Sequence, residues 1–145
     1  MTAVVRAARP EELRDVLELL AELNPDDPRL SAAETARTWR RMREQPGRCV
    51  LVAVEDGRVI GTADCIVLEN LTRSARPYML VENVVVHADH RRRGTGAGLL
   101  RAAVERARSA ACYKVQLLAD DTPANHRFYE SCGLQPTAQG FKQRL

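Results

Sequence analysis

The sequence predicts an α/β (α+β) domain: one mixed sheet, antiparallel in its first half and parallel in its second, with helices on both faces. Three observations carry this. An Asp56-Gly57 pair between two apolar runs marks a hairpin. The apolar run ending at Val86 passes through a glycine-bearing turn into a helical stripe and then another apolar run, which is a right-handed β-α-β crossover. Two amphipathic stretches near the N-terminus supply helices to cover a sheet. At 145 residues, 45% of them hydrophobic, the chain suits one domain over 1–145 with a real core.

The elements follow in the order β-α-α-β-β-β-α-β-α-β. Ala3 to Ala8 form a short strand, and Pro10, Glu11 and Glu12 suit a first helical turn by fixed φ and by charge near the positive dipole end. Leu13, Val16, Leu17, Leu20 and Leu23 make one apolar stripe, ended by Asn24-Pro25. Ser31 with Glu34 is a capping box for a second helix through about Glu44, carrying Trp39 and Met42 inward. Cys49 to Val54 and Val59 to Val67 are the hairpin strands, and Leu80 to Val86 is a central strand, mostly apolar. The helix after the glycine turn packs through Leu99, Leu100, Ala103, Val104, Ala107 and Ala111, with Gly98 allowing close approach. Tyr113 to Ala119 is the parallel partner strand. Thr122 caps a last helix with Pro123 at its first position and Gly133 beyond its end, and the tail to Leu145 reads as a closing strand.

Bulk composition narrows the function. The net charge is only +3, yet arginines cluster at Arg40-Arg41 and at Arg91 to Arg93, which favours an anionic ligand. Nucleic acid is disfavoured: aromatics are 4% of the chain, too few to stack bases, and 19 acidic residues offset the 22 basic ones. Cys49, Cys65, Cys112 and Cys132 lack metal-ligand spacing, so the expectation is free thiols and no metal. His87, His90 and His126 likewise lack mutual ligand spacing. No leader and no run long enough for a membrane helix is present, so a cytoplasmic protein without membrane attachment is expected.

The most informative stretch is Val84-Val85-Val86 followed by Arg91-Arg92-Arg93-Gly94-Thr95-Gly96-Ala97. A strand that runs through a basic, glycine-bearing turn into a helix is a phosphate cradle, because free N–H groups and the positive dipole end attract an anion that glycine lets come close. Two common cradles are excluded by spacing. A Walker loop needs a Lys-Ser or Lys-Thr pair, and the chain has none. A dinucleotide fingerprint needs G-x-G-x-x-G in a first β-α turn, whereas Gly94, Gly96 and Gly98 lie mid-chain with other spacing.

Arg91-x-x-Gly94-x-Gly96 resembles the acyl-CoA pyrophosphate motif, R/Q-x-x-G-x-G/A, of the GNAT superfamily of N-acetyltransferases. Downstream, the run from Asn125 through Phe128-Tyr129 to Gly133-Leu134 resembles that family's second signature, N-x-x-F-Y-x-x-x-G-F, with Leu134 where an aromatic is common. The element order matches as well, so the resemblance covers essentially the whole chain. Cys112-Tyr113-Lys114-Val115 and Val81-Glu82-Asn83-Val84 look most like glucosamine-6-phosphate N-acetyltransferases and their small bacterial relatives. Asn83 stands where that group has the second acid of a Glu-Asp pair, so the sugar phosphate does not carry over with the motif.

The resemblance implies acetyl transfer from acetyl-CoA to a primary amine of a small molecule through a tetrahedral intermediate. Amides from Arg92 to Ala97 would hold the pyrophosphate, with Arg91 contacting ligand or positioning its neighbours, and Val84 to Val86 would pair with the pantetheine arm. The N–H of Val84 or Val85 would stabilise the oxyanion. Tyr129 would protonate the departing thiolate, unless it is a core tyrosine bonded to a backbone carbonyl. Glu82 would take the amine proton, directly or through water, or else only orient a cationic substrate. Asn125 would bond the pantetheine arm or satisfy its own helix turn. A homodimer is implied too. Two other readings stay open: acetylation of a protein amine, and a CoA-binding sensor without turnover.

Overall fold

The computed structural model describes residues 2–145. Five strands, β1 (Val4–Ala7), β2 (Arg48–Glu55), β3 (Arg58–Leu68), β4 (Tyr78–Val86) and β5 (Val115–Gln116), lie side by side in chain order. All neighbours are antiparallel except the β4–β5 pair. The helices are α1 (Leu13–Leu23), α2 (Ala32–Glu44), α3 (Thr95–Ser109) and α4 (Pro123–Ser131). The capping box at Ser31, the Thr122 cap and the left-handed Asp56-Gly57 turn form as their sequence signals predict. Pro10 to Glu12 are a 3-10 turn rather than the start of α1.

Side-chain alternation sorts the sheet into two faces. On one, Leu51, Ala53, Ala63, Cys65, Met79 and Val81 pack against Leu99, Leu100, Ala103 and Ala107 of α3. On the other, α1 and α2 bury Val16, Leu19 and Trp39 over a surface that includes Val52, Thr62, Asp64 and Val85. Leu19, outside the predicted stripe, is among the most buried side chains of α1, whereas Leu23 at its end is largely exposed. Gly61 explains how close α3 sits: a Cβ there would lie 3.1 Å from Leu99 Cδ1 and 3.3 Å from the Val85 carbonyl. Gly98 has no such role, since a Cβ at that position would meet Val5 at an ordinary 3.7 Å.

Three expectations are corrected. The strand expected over Tyr113 to Ala119 is only Val115–Gln116, because β4 turns away and leaves Leu117 onward without a partner. No closing strand forms between α4 and Leu145; Phe141 and Leu145 are exposed. Ala111 lies beyond α3 with φ at +59°, exposed rather than packed.

The divergence of β4 from β5 has a local cause. Thr62 pairs with Val85 and Asp64 with Glu82, so three steps along β4 match two along β3. The extra residue bends the strand, and Asn83 takes a left-handed conformation, φ +52°, which asparagine tolerates better than most. Beyond Leu80, β4 has no partner on its β5 side.

A charged pair sits inside the α1–α2 face. Arg48 Nε and Nη2 donate to the two Asp64 carboxylate oxygens at 3.1 and 2.5 Å, and Nη1 donates to Gln45 Oε1 at 2.9 Å. Asp64 is 5% exposed, so losing the guanidinium strands a carboxylate away from water. Arg48→Met is expected to lower the unfolding free energy by about 2 kcal/mol, the cost of an orphaned buried acceptor discounted for the partly exposed arginine. Urea denaturation checks it; an unchanged midpoint would remove the pair from the stability account.

Candidate functional site

The site lies where the end of β4, the start of α3 and α4 meet. A Cβ on Gly96 would lie 2.9 Å from Phe128 Cζ of α4 and 3.7 Å from Val86 Cγ2 of β4. Gly96 is therefore glycine for packing: it lets α4 close against the mouth of α3. Phe128 in turn packs edge-on to Tyr129, ring centroids 5.0 Å apart.

The turn before α3 is shaped by two left-handed residues, Arg92 at φ +61° and Gly94 at φ +84°. No side chain caps the helix, and the first bond into it runs from Gly98 N–H to Gly94 carbonyl. Six consecutive backbone N–H groups, Arg92 to Ala97, donate to no protein acceptor among the described residues. Together with the dipole of a helix of 15 residues they make a strongly attractive anion position. Arg92 and Arg93 are exposed there and make no ion pair among the described residues. Arg91 is different. Its Nε donates to the Val86 carbonyl at 2.9 Å and its Nη2 lies 3.6 Å from Glu22, so its side chain braces the loop from behind.

Along an antiparallel ladder successive residues turn their amides to alternate sides. The His87 N–H reaches Ile60 carbonyl in β3, and the Met79 N–H reaches Lys114 carbonyl on the β5 side. Counting back from His87, Val85 faces β3, while Val84 and Val86 face the open edge beyond the bulge. Arg91 occupies the Val86 carbonyl.

Glu82, half-buried, projects from the α1–α2 face opposite Asp64 and makes no hydrogen bond or ion pair among the described residues. Its neighbour Asp64 is already neutralised by Arg48. Tyr129 packs against the core on the α3 face, and its hydroxyl makes no hydrogen bond among the described residues. Burial, with the nearby Cys132 thiol adding to it, pushes the phenol's pKa above the ordinary tyrosine value. Glu82 and Tyr129 thus lie on opposite faces of the sheet. Asn125 Nδ2 donates to the Asp120 carbonyl at 3.0 Å, which spends that donor within its own turn.

Burial disfavours the thiolate of both cysteines in the hairpin. Cys49 and Cys65 face one another across β2 and β3 as free thiols, and burial pushes Cys65 up to about 12, which suppresses its thiolate. Sequence reasoning missed Glu22 and the Asn83 bulge. Glu22 carries no motif, and its Ala88 partner is 66 residues away in the chain.

Residues 13–134 match the Acetyltransferase (GNAT) family. Glucosamine 6-phosphate N-acetyltransferase of Trypanosoma brucei brucei is 33% identical over 133 residues, covering 90% of this chain and 88% of the relative. Glucosamine 6-phosphate N-acetyltransferase 1 of Oryza sativa subsp. japonica is 36% identical over 131 residues, with 86% and 78% covered. Among solved structures, a chain from Agrobacterium tumefaciens str. C58 assigned as an acetyltransferase superposes with a TM-score of 0.94 at 45% identity, covering 98% of this chain and 99% of that one. A family match over most of the chain, on a fold whose open strand edge meets an uncapped helix mouth, leaves one conclusion: the protein belongs to the GNAT acetyltransferase family.

Proposed function

We propose that this acetyltransferase moves the acetyl group of acetyl-CoA to a primary amine of a small molecule, with the reaction centred on the free edge of β4. The observation that carries this is the run of unpartnered amides from Arg92 to Ala97 beside that edge. A diphosphate satisfies such amides, and an amide-bearing pantetheine arm suits strand pairing with Val84 to Val86. Acetyl-CoA supplies the activated acyl thioester. Of Val84 and Val85, the former has its N–H on the open side and is the better oxyanion donor.

Glu82 takes a proton from the substrate ammonium, directly or through water, so that the neutral amine can attack the thioester carbon, because it alone on this stretch of β4 offers a carboxylate free of partners among the described residues. Tyr129 gives its proton to the sulfur as the C–S bond breaks. Asn125 offers its carbonyl oxygen and its second amide N–H to the pantetheine arm, since one N–H is engaged by the Asp120 carbonyl. For the acceptor, an amino sugar phosphate is the first choice, on the strength of the two relatives that carry that substrate in their names. Asn83 is the bulge residue here, so any contact it makes to a sugar is neutral rather than acidic.

A homodimer is supported by the apolar surface around Leu118 and Phe141, both exposed at the β5 edge and tail. Free thiols at all four cysteines support a reducing, cytoplasmic setting. Among the described residues no helix is long and apolar enough to cross a membrane.

Thiol release from acetyl-CoA, measured across a panel of amino sugar phosphates, polyamines, aminoglycosides and peptide amines, tests the activity. Stimulation by a small amine is expected. CoA binding with no amine-dependent release would establish a sensor instead, and release only with peptides would establish a protein acetyltransferase. Glu82→Gln should lower kcat by about one to two decades with KM for acetyl-CoA little changed, because the amide oxygen is too weak a base to take the proton. A parent-like kcat with only a raised KM for the amine would reduce Glu82 to an orienting charge.

A further inference from the structure

Glu22 lies in the last turn of α1, where no basic residue accompanies it. A carboxylate is out of place there, because the carbonyl end of a helix carries the negative pole of the dipole. The contacts of Glu22 explain its presence. One oxygen accepts the Ala88 N–H at 3.2 Å and lies 3.6 Å from Arg91 Nη2; the other lies 3.5 Å from His87 Nε2. These three partners occupy the segment that joins β4 to the phosphate turn, and Arg91 in turn holds the Val86 carbonyl. His87 is fixed from its other nitrogen by the Asp89 N–H at 3.2 Å.

We propose that Glu22 is a positioning residue for acetyl-CoA: from across the sheet it anchors the 86–91 segment and so aims the amides of Arg92 to Ala97. It touches neither the thioester nor the phosphates. The motif arginine then serves through this brace, while charge toward the ligand comes from Arg92 and Arg93. This rests on the reading of the phosphate turn given above. Its consequence is that acetyl-CoA affinity depends on a residue of α1 far from the reacting atoms, while the chemical step does not.

The test compares Glu22→Ala, which removes all three contacts, with Glu22→Gln, which keeps an acceptor for the Ala88 N–H but no charge. For Glu22→Ala the KM for acetyl-CoA, and the Kd for CoA by calorimetry, should rise about tenfold, as loss of one charge-assisted contact set predicts, with kcat within about twofold. Glu22→Gln should fall between it and the parent chain. Because Arg91 lies in the same brace, Glu22→Ala with Arg91→Met should be no worse than the poorer single variant. If Glu22→Ala does not fold, Glu22→Gln carries the comparison. Unchanged KM, a loss confined to kcat, or fully additive effects would overturn the proposal. Gly94→Val separates the two readings: if it also leaves CoA affinity intact, the phosphate turn is misplaced. If it abolishes affinity while the Glu22 variants do not, only the brace fails.

Discussion

Gly94→Val is expected to weaken CoA binding at least about a hundredfold, the sum of a left-handed β-branched residue and two or more misdirected amides. Gly94 has φ +84°, a conformation valine strongly avoids, so the peptide planes on either side must rotate. Those planes carry the N–H groups of Gly94 and Thr95. The fold has room for the side chain, since no atom beyond its two chain neighbours lies within 4 Å of a Cβ built there. The damage therefore falls on the ligand rather than on the core. Calorimetry with CoA, alongside a thermal melt, separates the two effects: lost binding with a nearly native melt is expected. Parent-like affinity would show that these amides do not hold the phosphates.

Gly94 also shows what was legible in the sequence. Glycine in a basic turn between an apolar strand and a helix has few readings, and the local rule, a left-handed residue ahead of free amides, is written in the residues themselves. The hairpin at Asp56-Gly57 and the caps at Ser31 and Thr122 were legible for the same reason: each is settled within four or five residues. A Cβ on Gly96 would meet Phe128, a packing reason for glycine that leaves no mark in the sequence distinguishable from a phosphate contact, while its amide stays without a protein partner among the described residues. The short β5 and the missing closing strand show the other limit. Leu117, Leu118 and Phe141 have strand-like composition, but a strand needs an edge to pair with, and the bulge at Asn83 carries β4 away from β5. That bulge depends on the register between two strands, and Glu22 on a contact between α1 and a distant loop. Neither is a property of a short stretch of sequence.

Tyr129→Phe is expected to lower kcat by about one to two decades while KM for acetyl-CoA changes little, the signature of an interaction made only as the thiolate leaves. A coenzyme thiol resembles a cysteine, with pKa near roughly 8.5, and the ordinary tyrosine value is near roughly 10. A proton donor for such a leaving group has to remain protonated at neutral pH. Burial does this for Tyr129, raising its pKa further, and the empty hydrogen-bonding capacity of its hydroxyl leaves the proton available. The alternative, a core tyrosine bonded to a backbone carbonyl, would have shown that bond; none is present among the described residues. The sign of the pH effect follows. With a raised pKa the acid stays competent as pH climbs past neutrality and is lost only as pH rises through the folded value, so the parent enzyme should keep its rate well into the alkaline range. The phenylalanine variant should lack whatever decline the phenol causes there. Since Phe128 holds the ring edge-on from one side, removing only the oxygen leaves the packing of α4 against α3 in place. A variant with parent turnover and the same alkaline limb would remove Tyr129 as the acid and leave protonation of the sulfur to water along the open edge of β4.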